Sequence, residues 1–169
     1  MIDRTKPSVR VVKTWTGLPT KPPCQYSKLI IRPNFREGPP HQSNLLDPVP
    51  VDFERFPIHK LAEGNSIFAL GSSAQWLAGC LDLARSAWGA NIVSVVIRKR
   101  TSYTSSYPID ENVEFIIIGS FGSGELYIPN RANVIKTKSQ IFVLMDELSP
   151  GRKGLLCFDE TTRKGWDSW

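Results

Sequence analysis

The sequence predicts an all-β protein, an antiparallel β-sandwich, and three observations predict it. Residues 111–169 carry four short apolar runs, Val113–Ile118, Leu126–Ile128, Ile141–Met145 and Leu155–Phe158, each too short for a stable helix of its own. The runs are rich in Val, Ile, Phe and Tyr, which suit a pleated, half-buried surface. Turn residues bound them at Gly119–Gly124, Pro129–Asn130 and Pro150–Gly154, and short strands at regular spacing read as a sandwich or barrel.

The totals agree with one domain and an appended arm. The chain has 169 residues, a hydrophobic fraction of 41% and a net charge of +5, which permits a polyanionic partner without requiring one. Cys24, Cys80 and Cys157 are odd in number and far apart, with no CxxC, so free thiols are expected. With only His41 and His59, no metal-ligand spacing is present, and no metal or other cofactor is expected. No apolar run reaches the ~20 residues of a membrane span. The stretch MIDRTKPSVR lacks the apolar core of a signal peptide.

Taken in order, the chain changes character near residue 48. Residues 1–48 are expected to be an extended, Pro-rich, basic arm, and residues 49–169 the folded domain. Ten of the thirteen prolines lie before residue 58, and the first 36 residues hold eight Lys or Arg against one Asp. Proline removes a ladder donor, so long regular structure is excluded there. Val9–Trp15 and Lys28–Arg32 are the two bits that suit short edge strands. Val49–Leu61 alternates loosely and reads as a bent edge strand, with His59 a polar surface residue. Within residues 65–88, a short helix is expected over Ser72–Ala78 and a strand over Cys80–Ser86. Ile92–Ile97 reads as a strand, closed by Arg98–Arg100.

Few motifs point to chemistry. LGSSAQW at Leu70–Trp76 resembles a strand–turn–helix anion site, in which free N–H groups face the ligand. Against it stand the missing GxGxxG and GxxxxGK[ST] patterns and the expectation of no crossover helices. Asp146–Glu147 and Asp159–Glu160 read as solvated loop carboxylates. Trp166 and Trp169 beside Asp167 suit either a sugar-stacking patch or packing onto a neighbour. Tyr103 and Tyr107 near Arg98–Arg100 are a thin signal for stacking on nucleic acid. No catalytic residue is assigned, and the chain is read as a non-enzyme.

Four stretches in order resemble the capsid proteins of the picorna-like positive-strand RNA viruses. They are WLAGCL at Trp76–Leu81, SAWGANIVSVVIRK at Ser86–Lys99, GSGELYIPNRANVIKT at Gly122–Thr137 and the Ser139–Trp169 stretch with its GWD. The resemblance implies an eight-stranded antiparallel jelly roll with short helices. Phe115, Ile117, Leu126, Ile128, Phe142 and Leu144 would lie between its two sheets. It implies a structural subunit of an icosahedral virion, assembled in the host cytoplasm with sibling capsid proteins around genomic RNA, and open to a host receptor. Arg4, Lys6, Arg10 and Lys13 of the arm would then face RNA or neighbouring subunits. The alternatives are a β-sandwich carbohydrate- or receptor-binding module and a small α/β phosphate-binding enzyme using Ser72–Ser73.

Overall fold

The structure, a computed structural model, describes residues 24–33, 53, 55–74, 76–99, 113–123, 126, 128, 134–158 and 163–168. Among the described residues, seven strands form one sheet: β1 (Tyr26–Ile31), β2 (Ala62–Ser72), β3 (Asn91–Lys99), β4 (Val113–Ser120), β5 (Val134–Ile135), β6 (Gly154–Cys157) and β7 (Trp166–Ser168). Their order is β5-β3-β4-β2-β1-β6-β7. The sheet is mixed. β1 runs parallel to β2 and to β6, β6 to β7, and β3 to β5. β4 alone is reversed, pairing antiparallel with both β2 and β3.

Strand outnumbers helix among the described residues, so the β-rich expectation stands. The eight-stranded antiparallel jelly roll does not: there is one sheet of mainly parallel strands, with helices on both faces. The decisive segment is Ile141–Met145, expected as a strand. It lies in a helix, α3 (Lys138–Leu148), after α1 (Ile58–Leu61) and α2 (Leu77–Asp82). Ile141, Phe142, Leu144 and Met145 are buried while Val143 is exposed, the spacing of a helix face rather than of a pleat. The Gln140 side chain accepts hydrogen bonds from the N–H groups of Lys136 and Thr137, at 2.7 and 3.1 Å, and so fixes the helix start.

Other elements differ from expectation in the same direction. Cys80–Ser86, expected as a strand, is the second half of α2 and a π-helical turn over Leu83–Ala87. Gly89, at φ 62°, then ends the helix in a conformation that glycine adopts without strain. The helix placed at Ser72–Ala78 begins later, at Leu77. Ile58–Leu61 is one helical turn rather than an edge strand, with His59 exposed as expected. Leu126 and Ile128 lie outside the strands and pack partly against the core. Lys28–Arg32, placed in the arm as a possible edge strand, falls in and just after β1, in the interior of the sheet between β2 and β6. The strand readings over Ile92–Ile97 and Val113–Ile118 match β3 and β4, and that over Leu155–Phe158 matches β6 except for Phe158, which lies beyond the strand.

Each face of the sheet has its own core. On one, Leu29, Ile31, Phe68, Leu70 and Ile117 meet α1, α2 and the π-helical turn after it through Ile58, Leu61, Cys80, Leu83 and the following Trp88. On the other, Ile30, Ala69, Val96, Ile116 and Ile118 meet α3 through Ile141, Phe142 and Met145. Burial of one such Ile, Leu or Phe side chain contributes about 1.5–3 kcal/mol. Chain direction explains the two layers. The β1–β2 and β2–β3 connections advance toward the β5 edge and include α1 and α2. The β5–β6 connection advances toward the β7 edge and is α3. Right-handed crossovers running in opposite directions must cover opposite faces.

Candidate functional site

In an open α/β sheet, ligands bind outside the carboxyl ends of the strands, where neighbouring strands send their connections in opposite directions. That point can be read from the strand order. β1 is followed by β2 on one side, and β6, its other neighbour, is followed by β7 on the far side. The register pairs Ile31 with Cys157, so the β1/β6 crevice opens at Arg32–Pro33 and Phe158. The Arg32 N–H donates to the Cys157 carbonyl at 3.2 Å and closes the floor.

Phe158 is the one non-glycine residue with positive φ among the described residues, at 64°. A bulky residue is costly there, of order 1–3 kcal/mol. Its ring lies 5.6 Å from that of Phe56 and 6.2 Å from that of Phe53, which gives the crevice an aromatic wall. Cys157 beneath it is fully buried, and burial pushes its thiol well above the ordinary range.

Beside the crevice the carboxyl edge carries charge. The Glu114 carboxylate is buried between two guanidinium groups. Arg32 Nε is 3.3 Å from Oε1, and Arg98 forms an ion pair with Oε2. The three come from just after β1, from β3 and from β4, and they meet because Gly71 on β2 has no side chain. A Cβ there would stand 2.8 Å from Glu114 Oε1.

The Ser72–Ser73 turn, singled out in the sequence as a possible anion site, lies on this same edge. β2 ends at Ser72 and α2 follows, and β2–α2–β3 is the crossover whose expected lack had counted against the motif. The Ser72 hydroxyl donates to the Ser73 carbonyl at 2.9 Å. The Ser73 hydroxyl is sealed from solvent and has no hydrogen-bond partner among the described residues. Cys80, in α2, is held up at about 11 by burial, with a hydrogen bond between it and Ser72 working the other way.

The remaining sequence candidates lie elsewhere. Asp146, expected in a solvated loop, is on α3. It accepts from the Lys28 ammonium at 2.6 Å, the Arg163 guanidinium at 3.3 Å and the Trp166 indole at 3.2 Å. This cluster ties α3 to β1 and β7. Trp166 is buried against Phe142, ring centroids 5.0 Å apart, and presents no exposed stacking face. Arg4, Lys6, Arg10, Lys13, Tyr103, Tyr107, Asp159, Glu160 and Trp169 lie outside the described residues. Cys24, Cys80 and Cys157 are free thiols. Among the described residues no group of His, Cys, Asp and Glu is placed to hold a metal. No helix among them is long and apolar enough to cross a membrane.

No family model and no curated protein matches the chain.

Proposed function

We propose that the chain is a doubly wound α/β binding domain that holds a nucleoside-containing molecule in the β1/β6 crevice. The observation that carries this is the strand order, which reverses between β1 and β6 at the carboxyl edge. The ligand class rests on analogy with other doubly wound sheets, which take nucleotides at this point. The groups present suit it chemically. Phe158, backed by the buried rings of Phe53 and Phe56, offers an apolar surface to a base. The Ser73 hydroxyl is an unused polar group beside it. Arg32 and Arg98 place guanidinium groups on the same edge, held there by Glu114. The reading assigns binding and names no catalytic residue.

The test is a ¹⁵N NMR titration with AMP, NAD and S-adenosylmethionine. Saturable shifts at Ile31–Arg32, Ser72–Ser73 and Cys157–Phe158 from at least one ligand support the proposal. Absence of saturable shifts there with all three would overturn it.

A second reading keeps the shell subunit, with sibling capsid proteins, genomic RNA and a host receptor as its partners. The observation in its favour is an exposed apolar strip on β3 and β5, namely Val95, Ile97 and Val134. Apolar strips of this kind mark contact surfaces. Electron microscopy decides it: particles or pentamers support the reading, and monomers alone in the presence of candidate partner chains count against it.

A further inference from the structure

At the opposite, amino edge of the sheet lies a cavity of about 360 Å³ that the proposed function does not use. It opens between the start of β2, the end of β4 and the end of α3. We propose that this cavity is a second binding site, for a small neutral polyhydroxyl compound of monosaccharide or cyclitol size.

The volume falls in the range of ordinary small-molecule pockets. What distinguishes the lining is its hydroxyls: Ser27, Ser66, Ser120 and Ser149 all border the space. The first three are buried residues. Ser66 donates to the Glu63 carbonyl at 2.8 Å and Ser27 to the Lys153 carbonyl at 3.5 Å, which leaves both oxygens able to accept. The Ser120 side chain makes no hydrogen bond among the described residues. Its hydroxyl can therefore bond to a ligand in the cavity without giving up a protein partner. Apolar surface from Ile67, Phe121 and Leu148 meets these oxygens and suits the C–H face of a sugar or cyclitol ring.

Charge does not call for an anion. The carboxyl end of α3 stands at the rim, where the Lys28 ammonium, paired with Asp146, donates to the Ser149 carbonyl at 3.3 Å. The Ser149 N–H donates to the Met145 carbonyl there. Arg152 is the cation that borders the cavity among the described residues, and Glu63 holds it at 3.2 Å. With the Ser27 and Ser66 hydroxyls already donating, donors are the groups a ligand should bring, and neutral hydroxyls bring them.

The experiment is a ¹⁵N NMR titration of the full chain with myo-inositol, glucose and ribose, and with glucose 6-phosphate as the charged counterpart. Saturable shifts confined to Ser27, Ser66–Ile67, Ser120–Phe121 and Leu148–Ser149, from a neutral compound, are expected. Ser120→Ala should bind that compound roughly tenfold more weakly, the loss of about one hydrogen bond. Leu148→Trp, which fills the space from a half-buried position, should abolish binding with the far-ultraviolet spectrum unchanged. No saturable shift with any neutral compound, a map elsewhere on the surface, or tighter binding of the phosphate would each overturn the proposal. Because the two crevices sit on opposite edges, shifts at Arg32 and Phe158 report the first site and cannot be mistaken for this one.

Discussion

The register of α3 is testable with two residues only two positions apart. Met145 has no exposed surface, while Val143 is 46% exposed. Truncating a buried methionine to alanine removes its transfer free energy and leaves a cavity, about 2–5 kcal/mol in all. Val143→Ala removes two methyl groups already half in water, and alanine is the better helix former, so the net change stays within about 0.5 kcal/mol. A strand would put residues 143 and 145 on one face, and the two changes would then cost alike. Urea unfolding followed by far-ultraviolet circular dichroism gives both values. The helix predicts a large loss of midpoint for Met145→Ala, little for Val143→Ala, and the same slope for both. Equal losses would refute the helical register and, with it, the layer over one face of the sheet.

Other outcomes follow from single contacts. In the native protein Cys24 should react with an aromatic disulfide reagent, while Cys80 and Cys157 react only on unfolding, since both thiols are buried and raised; three fast thiols would contradict the core. Gly71→Ala should cost about 1–3 kcal/mol, because its Cβ would press on the Glu114 carboxylate, which two arginines hold in place; calorimetry showing no loss would mean that the cluster yields. Tyr26 is raised by burial first and then by its 2.7 Å hydrogen bond to Asp167, so the folded state keeps a proton that the unfolded chain gives up near pH 10. Stability should therefore fall as pH rises above that value, and absorbance at 295 nm should show one tyrosine ionising only with unfolding. Asp167 works in the opposite sense. Its hydrogen bond from Lys153 leads in holding the carboxyl below the ordinary range, so its contribution is present above the unfolded value and fades as pH falls through the folded one. Lys153→Met should bring the NMR titration of Asp167 back toward that of an ordinary aspartate.

Much of the sheet was legible in the chain. The runs in β3 and β4 are rich in Val and Ile, that in β6 is Leu-rich, and turn residues bound all three; β4 and β6 are largely buried, while β3 buries only Val96 fully. The α3 segment was not, because IFVLM alone fits a short strand as well as one helix face. The resolving signal was local and slight: Thr137 followed three residues later by Gln140. β1 was harder, since Lys28 and Arg32 flank its apolar core and suggest an edge. Lys28 is buried all the same, because Asp146, 118 residues away, satisfies it, and no local pattern shows that. The Ser72–Ser73 turn could be seen as a strand–turn–helix. The crevice between β1 and β6 could not, because it exists only once seven strands have an order. Nor does any residue type announce the left-handed backbone of Phe158.

The β1/β6 crevice depends on β1 being an interior strand that runs parallel to β6. Cross-strand nuclear Overhauser effects measure this directly. The account predicts parallel contacts in the register Leu29 to Leu155 and Ile31 to Cys157, with β2 on the other side of β1 pairing Ile31 to Leu70. Antiparallel contacts, or none between residues 28–31 and 154–157, would contradict it.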